Sequence, residues 1–314
     1  MSLQSRKKTI NLLAPDVAEK IAAGEVVERP ASVVKELVEN ALDAKASEVL
    51  IQLEDGGRAS IIVTDNGTGM DQDDLRLSIR RHATSKISRF EDLDRLTTLG
   101  FRGEALPSIS AVADLSILTR STGTDPGTAY LLTATGTGIA VAVVTHGHFL
   151  GSTHGTRVRV DSLFSQVPAR LKFLKAPGAE VSAVREWLER LAMTRPNVGF
   201  KLISGDRSVL DFRPESLEAR FRRILADGSD APLLTETSKH ESTEVTVSWI
   251  QGMSLPTTRK LAQIVNGRAV RDRTIQQAML LHFRQLNLPG QFPALVVSVE
   301  IPGQYLAVNA HPAK

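Results

Sequence analysis

Just after Pro30, Glu36, Asn40 and Asp43 recur at nearly one-turn intervals. At about 100° per residue they fall in one narrow polar sector of a helix, with Glu39 at its border. An ordinary amphipathic helix offers such a face to solvent. Chemistry becomes the better reading because Glu36 and Asn40 would project side by side, a base next to a neutral oxygen ligand. Magnesium takes few protein oxygens and completes its octahedron with phosphates and waters, so one amide oxygen is a sufficient anchor. A carboxylate one turn away can orient and deprotonate a water for phosphoryl transfer.

Further stretches suit the same chemistry. Asp65-Asn-Gly-Thr-Gly69 ends a strand with two glycines, which lets backbone approach a flat ligand closely, and Asp65 can accept from an exocyclic amine such as that of adenine. The plain alternative is an Asn-Gly hairpin turn. Gly100-Phe-Arg-Gly-Glu-Ala-Leu106 runs into a helix start, where free N–H groups favour phosphate. Arg80-Arg-His-Ala-Thr-Ser-Lys86 is basic and hydroxyl-rich, as a phosphate-covering lid or a solvated loop would be. Gly155-Thr156 opens a strand. No Gly-x-x-x-x-Gly-Lys-Ser/Thr loop and no strand-linked Gly-x-Gly-x-x-Gly occur, which excludes a P-loop and disfavours a dinucleotide fold. His146, His148 and His154 lack a carboxylate at metal spacing, so a loop-edge role is expected for them.

These stretches need elements to position them. Val34, Leu37, Val38, Ala41 and Leu42 give residues 31–44 an apolar helical stripe, and Pro30 suits its start. Strands are predicted over 47–54, 59–65, 115–120, 129–134, 139–145 and 156–160, with helices in 71–110 and over 180–193. A hairpin pairs 200–203 with 208–212. After a boundary at Arg213-Pro214, the pattern predicts a helix over 215–226 and an acidic polar linker over 227–244. Strands follow over 245–251 and 261–265, then a helix over 274–286 and strands over 294–301 and 305–309. Strands and helices without strict βαβ alternation argue for α+β with a mixed or antiparallel sheet. The chain stops abruptly at His311-Pro-Ala-Lys314, as an excised fragment would.

Composition narrows the class. The absence of cysteine excludes disulfide scaffolds, thiolate metal sites and cysteine nucleophiles. No apolar run reaches the ~18 residues of a membrane helix, and the polar N-terminus lacks a secretory segment, so a cytoplasmic protein without membrane contact is expected. Of the net charge of +3, all falls in residues 213–314, with 12 basic against 9 acidic side chains.

The four motifs, in this order and spacing, resemble the GHKL ATPases, which include gyrase B, the ninety-kilodalton heat-shock chaperone and sensor histidine kinases. The strings Ile21–Asn40, Arg81–Ile87 and Gly100–Leu106, with Val265–Arg268 and His311–Lys314, are similar to those of the MutL family of DNA mismatch repair proteins. The resemblance runs from about residue 10 to the end. It implies a GHKL (Bergerat) two-layer α/β sandwich over 1–213, including an N-terminal segment 1–29, and a smaller α+β domain like that of gyrase B over 214–314. A topoisomerase-type GHKL ATPase and an inert nucleotide- or DNA-binding module are the alternatives. The Ile21–Asn40 and His82–Ile87 strings weigh against the first, and Glu36 against the second.

By the same resemblance, Glu36 is the general base and Asn40 the magnesium ligand of an ATPase. Asp65 holds adenine, with Gly67, Gly69, Met70 and Thr156 around it. Asp43, Thr84, Ser85, Lys86, Gly100, Phe101, Arg102, Gly103, Glu104, Ala105 and Leu106 complete the ATP site, and Lys314 reaches the γ-phosphate from the second domain. Homodimerisation on ATP, a MutS-like partner and DNA are implied as well. Arg268, Arg271 and Arg273 are the candidates for DNA phosphates. Phe164–Arg170, Pro107 and Ala310 depart from the family pattern.

Overall fold

The computed structural model describes residues 12–86, 89, 100, 103–136, 138–226, 229–283 and 290–302. Helix α1 (Pro15–Val26) precedes α2 (Pro30–Asp43), which starts at Pro30, where a missing N–H costs nothing. α2 buries Val33, Val34, Leu37, Val38 and Ala41. Its polar sector is thereby turned away from the core. Strands β1 (Glu48–Glu54) and β2 (Ser60–Asp65) follow, joined through a 3₁₀ turn at Asp55–Gly57. Then come α3 (Gln72–Leu77), α4 (Ala105–Ser110), β3 (Asp114–Arg120), β4 (Ala129–Thr135), β5 (Gly138–Val144) and β6 (Gly155–Asp161). A short α5 (Pro168–Leu171) leads to α6 (Pro177–Met193), β7 (Gly199–Ser204) and β8 (Arg207–Phe212).

These strands make one eight-stranded sheet in the order β5-β4-β3-β6-β2-β1-β7-β8. All its pairings are antiparallel except β1 with β7. Since β2 pairs with β6 and β1, the turn after Asp65 is not a hairpin: it opens at the strand end, free to face a ligand. α1, α4, α2 and α6 contact one another in turn as a layer over the sheet, around a core that includes Val34, Leu37, Ile51, Val63, Leu115 and Phe200.

The remaining chain forms α7 (Leu217–Ala226), β9 (Leu233–His240), β10 (Thr243–Leu255), β11 (Leu261–Val265), β12 (Arg268–Val270), α8 (Arg273–Phe283) and β13 (Phe292–Glu300). The second sheet runs β12-β11-β13-β10-β9, with β11–β13 its parallel pair. Both faces of β13 are buried: Ala294 and Val296 join the core containing α7, while Leu295 and Val297 pack with Met279 and Phe283 of α8. Two buried faces explain its unbroken apolar run.

Two expectations need correction. The stretch read as a polar linker over 227–244 contains β9, an edge strand pairing with β10. Its sequence gave no apolar alternation because nearly every residue is exposed, as charged edge strands are. It is held through hydroxyl pairs, Thr235–Ser248 at 2.9 Å and Thr237–Thr246 at 3.0 Å. Helix α1 also escaped the sequence reading, which placed the first helix after Pro30. The strand expected over 305–309, residue Ala310 and segment 1–11 lie outside the described residues. Pro107 sits in the first turn of α4, where proline is tolerated. Among the described residues no helix is long and apolar enough to cross a membrane.

Candidate functional site

The polar sector of α2 forms one wall of a cavity of about 1000 Å³ that Glu36, Glu39, Asn40 and Asp43 all line. Opposite, Thr84, Ser85 and Lys86 meet Gly100, Gly103, Glu104, Ala105 and Leu106, and the floor carries Asp65, Gly69, Met70 and Thr156. Residues from five separate stretches thus face one space. Gly67 is not among the residues that line the cavity, while Phe101, Arg102 and Lys314 lie outside the described residues.

The two glycine- and lysine-bearing stretches close onto α2. The Lys86 ammonium donates to Asn40 Oδ1 at 2.8 Å and pairs with Asp43 Oδ2 at 2.6 Å. The Gly100 N–H donates to the same Asp43 oxygen at 3.3 Å. Gly103 adopts φ +62°, and a Cβ there would stand 2.5 Å from the Ala83 carbonyl, so only glycine lets the stretches meet this closely. His82 Nδ1 lies 2.9 Å from Glu104 Oε1 across the same seam.

Sequence reasoning left Glu39 at the border of the polar sector, but its side chain is only 14% exposed. Burial, with Glu36 and Asp43 reinforcing it and Lys35 opposing it, pushes this carboxyl up to about 7. The signal was its place one turn from Asp43 and Lys35, but helical spacing does not report burial.

On the floor, Asp65 ends β2 with its carboxyl 2.8 Å from the Gly67 N–H that donates to it. Burial raises it to about 6, against the pull of the Gly67 and Thr156 backbone hydrogen bonds. Gly69 has φ +66°, and an added Cβ would come 1.9 Å from the Arg120 carbonyl oxygen. Thr119, absent from the sequence-based set, joins these parts. Its hydroxyl accepts from the Met70 N–H at 3.0 Å, donates to the Gly155 carbonyl at 3.0 Å and meets the Thr156 hydroxyl at 3.1 Å. A lone threonine inside a strand carries no spacing that could have flagged it.

The donor set fits magnesium. Asn40 Oδ1 already faces a cationic group, the Lys86 ammonium, so its lone pairs are directed where a cation is accepted. No group of three or more His, Cys, Asp or Glu side chains able to hold a metal occurs among the described residues.

The three arginines stand elsewhere. Arg268 opens β12, Arg271 follows it, and Arg273 begins α8; the last two are exposed and Arg268 is half-buried. Arg271 also faces Arg190 of α6, whose guanidinium burial, and then this like charge, push down to about 10.

The mixed eight-stranded sheet under a helical layer, with the polar face of α2 over a strand-end aspartate, is the architecture of GHKL-type ATPase domains. The sequence pattern of histidine kinase-, DNA gyrase B-, and HSP90-like ATPases matches residues 28–135, and that of the DNA mismatch repair protein C-terminal domain matches residues 233–314. The DNA mismatch repair protein MutL of Trichlorobacter lovleyi is 41% identical over 312 residues, covering 97% of this chain and 50% of that protein. The Aquifex aeolicus MutL ATPase domain complexed with ADP superposes with a TM-score of 0.65 at 26% identity, covering 88% of this chain and 93% of that one. The N-terminal domain of a DNA repair protein superposes at 0.74 with 25% identity, covering 93% and 89%. The chain belongs to the MutL family of DNA mismatch repair proteins. It spans about half the length of the curated relatives it matches.

Proposed function

We propose that this chain binds ATP with magnesium and hydrolyses it slowly, as a conformational switch in DNA mismatch repair. The observation that carries the reading is the convergence of Glu36, Asn40 and Asp65 on one cavity closed by Lys86. The ADP complex of the Aquifex relative supports a nucleotide there. Asp65 accepts from the adenine amine, with its carboxyl oriented by the Gly67 N–H. Thr84–Lys86 and Gly100–Leu106 wrap the phosphates, and Lys86 exchanges Asn40 and Asp43 for phosphate oxygens. Glu36 takes the proton from the attacking water. Asn40 Oδ1 holds the magnesium ion, which supplies charge neutralisation on the phosphates. Lys314 reaches the γ-phosphate from the second domain, so that nucleotide state couples to domain arrangement.

On this reading the chain divides at 213/214 into an ATP-binding and a second domain. ATP binding pairs two copies, a MutS-like protein signals to it, and Arg268, Arg271 and Arg273 contact DNA phosphates in the cytoplasm. The test is magnesium-dependent ATP turnover over a range of protein concentrations, with wild type and Glu36→Ala side by side. Activity rising more than linearly with protein, and lost in the variant, is expected. Activity strictly proportional to protein overturns the pairing, and turnover retained in Glu36→Ala overturns the base assignment. ATP binding without turnover in the wild type points to an inert binding module.

A further inference from the structure

The turn that carries Asp65 is fastened on several sides. The Asn66 side-chain oxygen accepts from the Ser47 and Glu48 N–H groups at 2.9 and 3.0 Å. The Thr68 N–H donates to the Ala44 carbonyl at 2.8 Å, which ties the turn to the end of α2. The Gly67 N–H is committed to the Asp65 carboxyl. The Gly67 carbonyl faces His154, whose Nδ1 lies 2.6 Å away.

His154 is itself well placed to hold that carbonyl. Its backbone N–H donates to Ser152 Oγ at 3.2 Å, so the residue is fixed from its own loop. The next residue, Gly155, has φ +144°, and a Cβ on it would stand 2.2 Å from the Asp65 carbonyl oxygen. The start of β6 therefore presses against the turn, and a longer reach than one imidazole is not needed. A carbonyl only accepts, so Nδ1 must carry the hydrogen. The peptide that follows Gly67 is thus oriented from both ends, by Ala44 through its N–H and by His154 through its C=O.

We propose that His154 is a positioning residue for base recognition: through the Gly67 carbonyl it fixes the turn that aims the Asp65 carboxyl at the purine amine. The proposal rests on the adenine-nucleotide reading of the cavity. It concerns the base and not the phosphates, because the fixed turn lies at the floor, away from the lid that would hold phosphate. It gives His154 a role where sequence spacing offered only a loop edge.

The test compares titration of wild type, His154→Ala and His154→Asn with ADP and, separately, with inorganic pyrophosphate, alongside melting temperatures. Asparagine offers an N–H donor at the position of Nδ1. Losing one hydrogen bond to the turn should weaken ADP roughly 3- to 10-fold in His154→Ala. Pyrophosphate affinity should stay level, and His154→Asn should bind ADP within about twofold of wild type. In turnover, KM for ATP should rise while kcat holds. Equal ADP affinity in wild type and His154→Ala overturns the proposal, as does equal loss for ADP and pyrophosphate, which would mark a merely structural side chain. His154→Leu replaces the alanine variant should that one fail to fold; leucine and asparagine variants with matching ADP affinity also overturn it. A wild type that binds no ADP overturns the nucleotide reading itself, and this inference with it.

Discussion

Glu36 and Glu39 sit on the same helix three residues apart, yet a helical wheel distinguishes them only by angle. The wheel was enough to pick out Glu36, Asn40 and Asp43 from residue type and spacing. It could not show that Glu39 would be buried, because the depth of a side chain depends on packing beyond its own helix. The consequence is measurable. With its carboxyl held at about 7 against an ordinary 4.5, the folded protein binds this proton more tightly than the unfolded chain does. The stability this confers is complete below about pH 4.5 and declines as pH rises to about 7. Glu39→Gln should therefore match wild type near pH 4 and exceed it at pH 8, by up to about 3 kcal/mol in urea unfolding. Asp65, raised to about 6, works in the same direction over a lower window. At the proposed catalytic positions the expected split is different. Glu36→Ala should keep ATP binding and lose turnover, whereas Asn40→Ala should lose magnesium-dependent binding, as nucleotide titrations with and without magnesium would report.

The elements around the site were mostly legible, because α2, β1 and α6 each carry a period that matches one buried face and β2 is a short apolar run buried on both. What escaped was structure without such a face. β9 is solvated on both sides, and α1 carries Gly24 and exposes Val17 and Ile21. The tightness of the turns was also hidden, since a glycine in the sequence does not declare its φ. Gly69→Ala places a Cβ 1.9 Å from the Arg120 carbonyl at φ +66° and should cost at least about 2 kcal/mol in thermal unfolding. Element β12 and the start of α8 carry a prediction of their own. If Arg271 and Arg273 contact DNA phosphates, Arg271→Glu with Arg273→Glu should weaken binding and flatten the slope of log K against log salt by about 2. An unchanged slope in a salt titration would leave these arginines as a solvated face.

At the scale of the molecule, the two sheets share a core through α7, whose Phe221, Ile224 and Leu225 pack with Ile250, Ala262 and Val296. Sequence placed a boundary near Arg213-Pro214 from a proline and a change in pattern, but it could not anticipate how firmly α7 is bound across it. The fully buried Arg220 donates to the carbonyls of Ala192, Pro196, Val198 and Arg213 at 2.9–3.2 Å and to Glu215 at 2.7 Å. Arg220→Met strands these acceptors and should cost about 3 kcal/mol or more, read as a lowered urea midpoint. The same fastening has a mechanical meaning. α7 behaves as an axle keyed to the end of α6 and the loop beyond it, unable to turn without unmaking the Arg220 bonds to Ala192, Pro196 and Val198 at once. On its other side α7 meets the second sheet through apolar contacts that carry no preferred direction, with the Lys260 ammonium donating to the Ile224 carbonyl and ion pairs as loose as Arg259 to Glu186 at 3.8 Å beside them. If the second sheet moves against the first, its bearing surface is this far side of α7, where it meets β10 and β13.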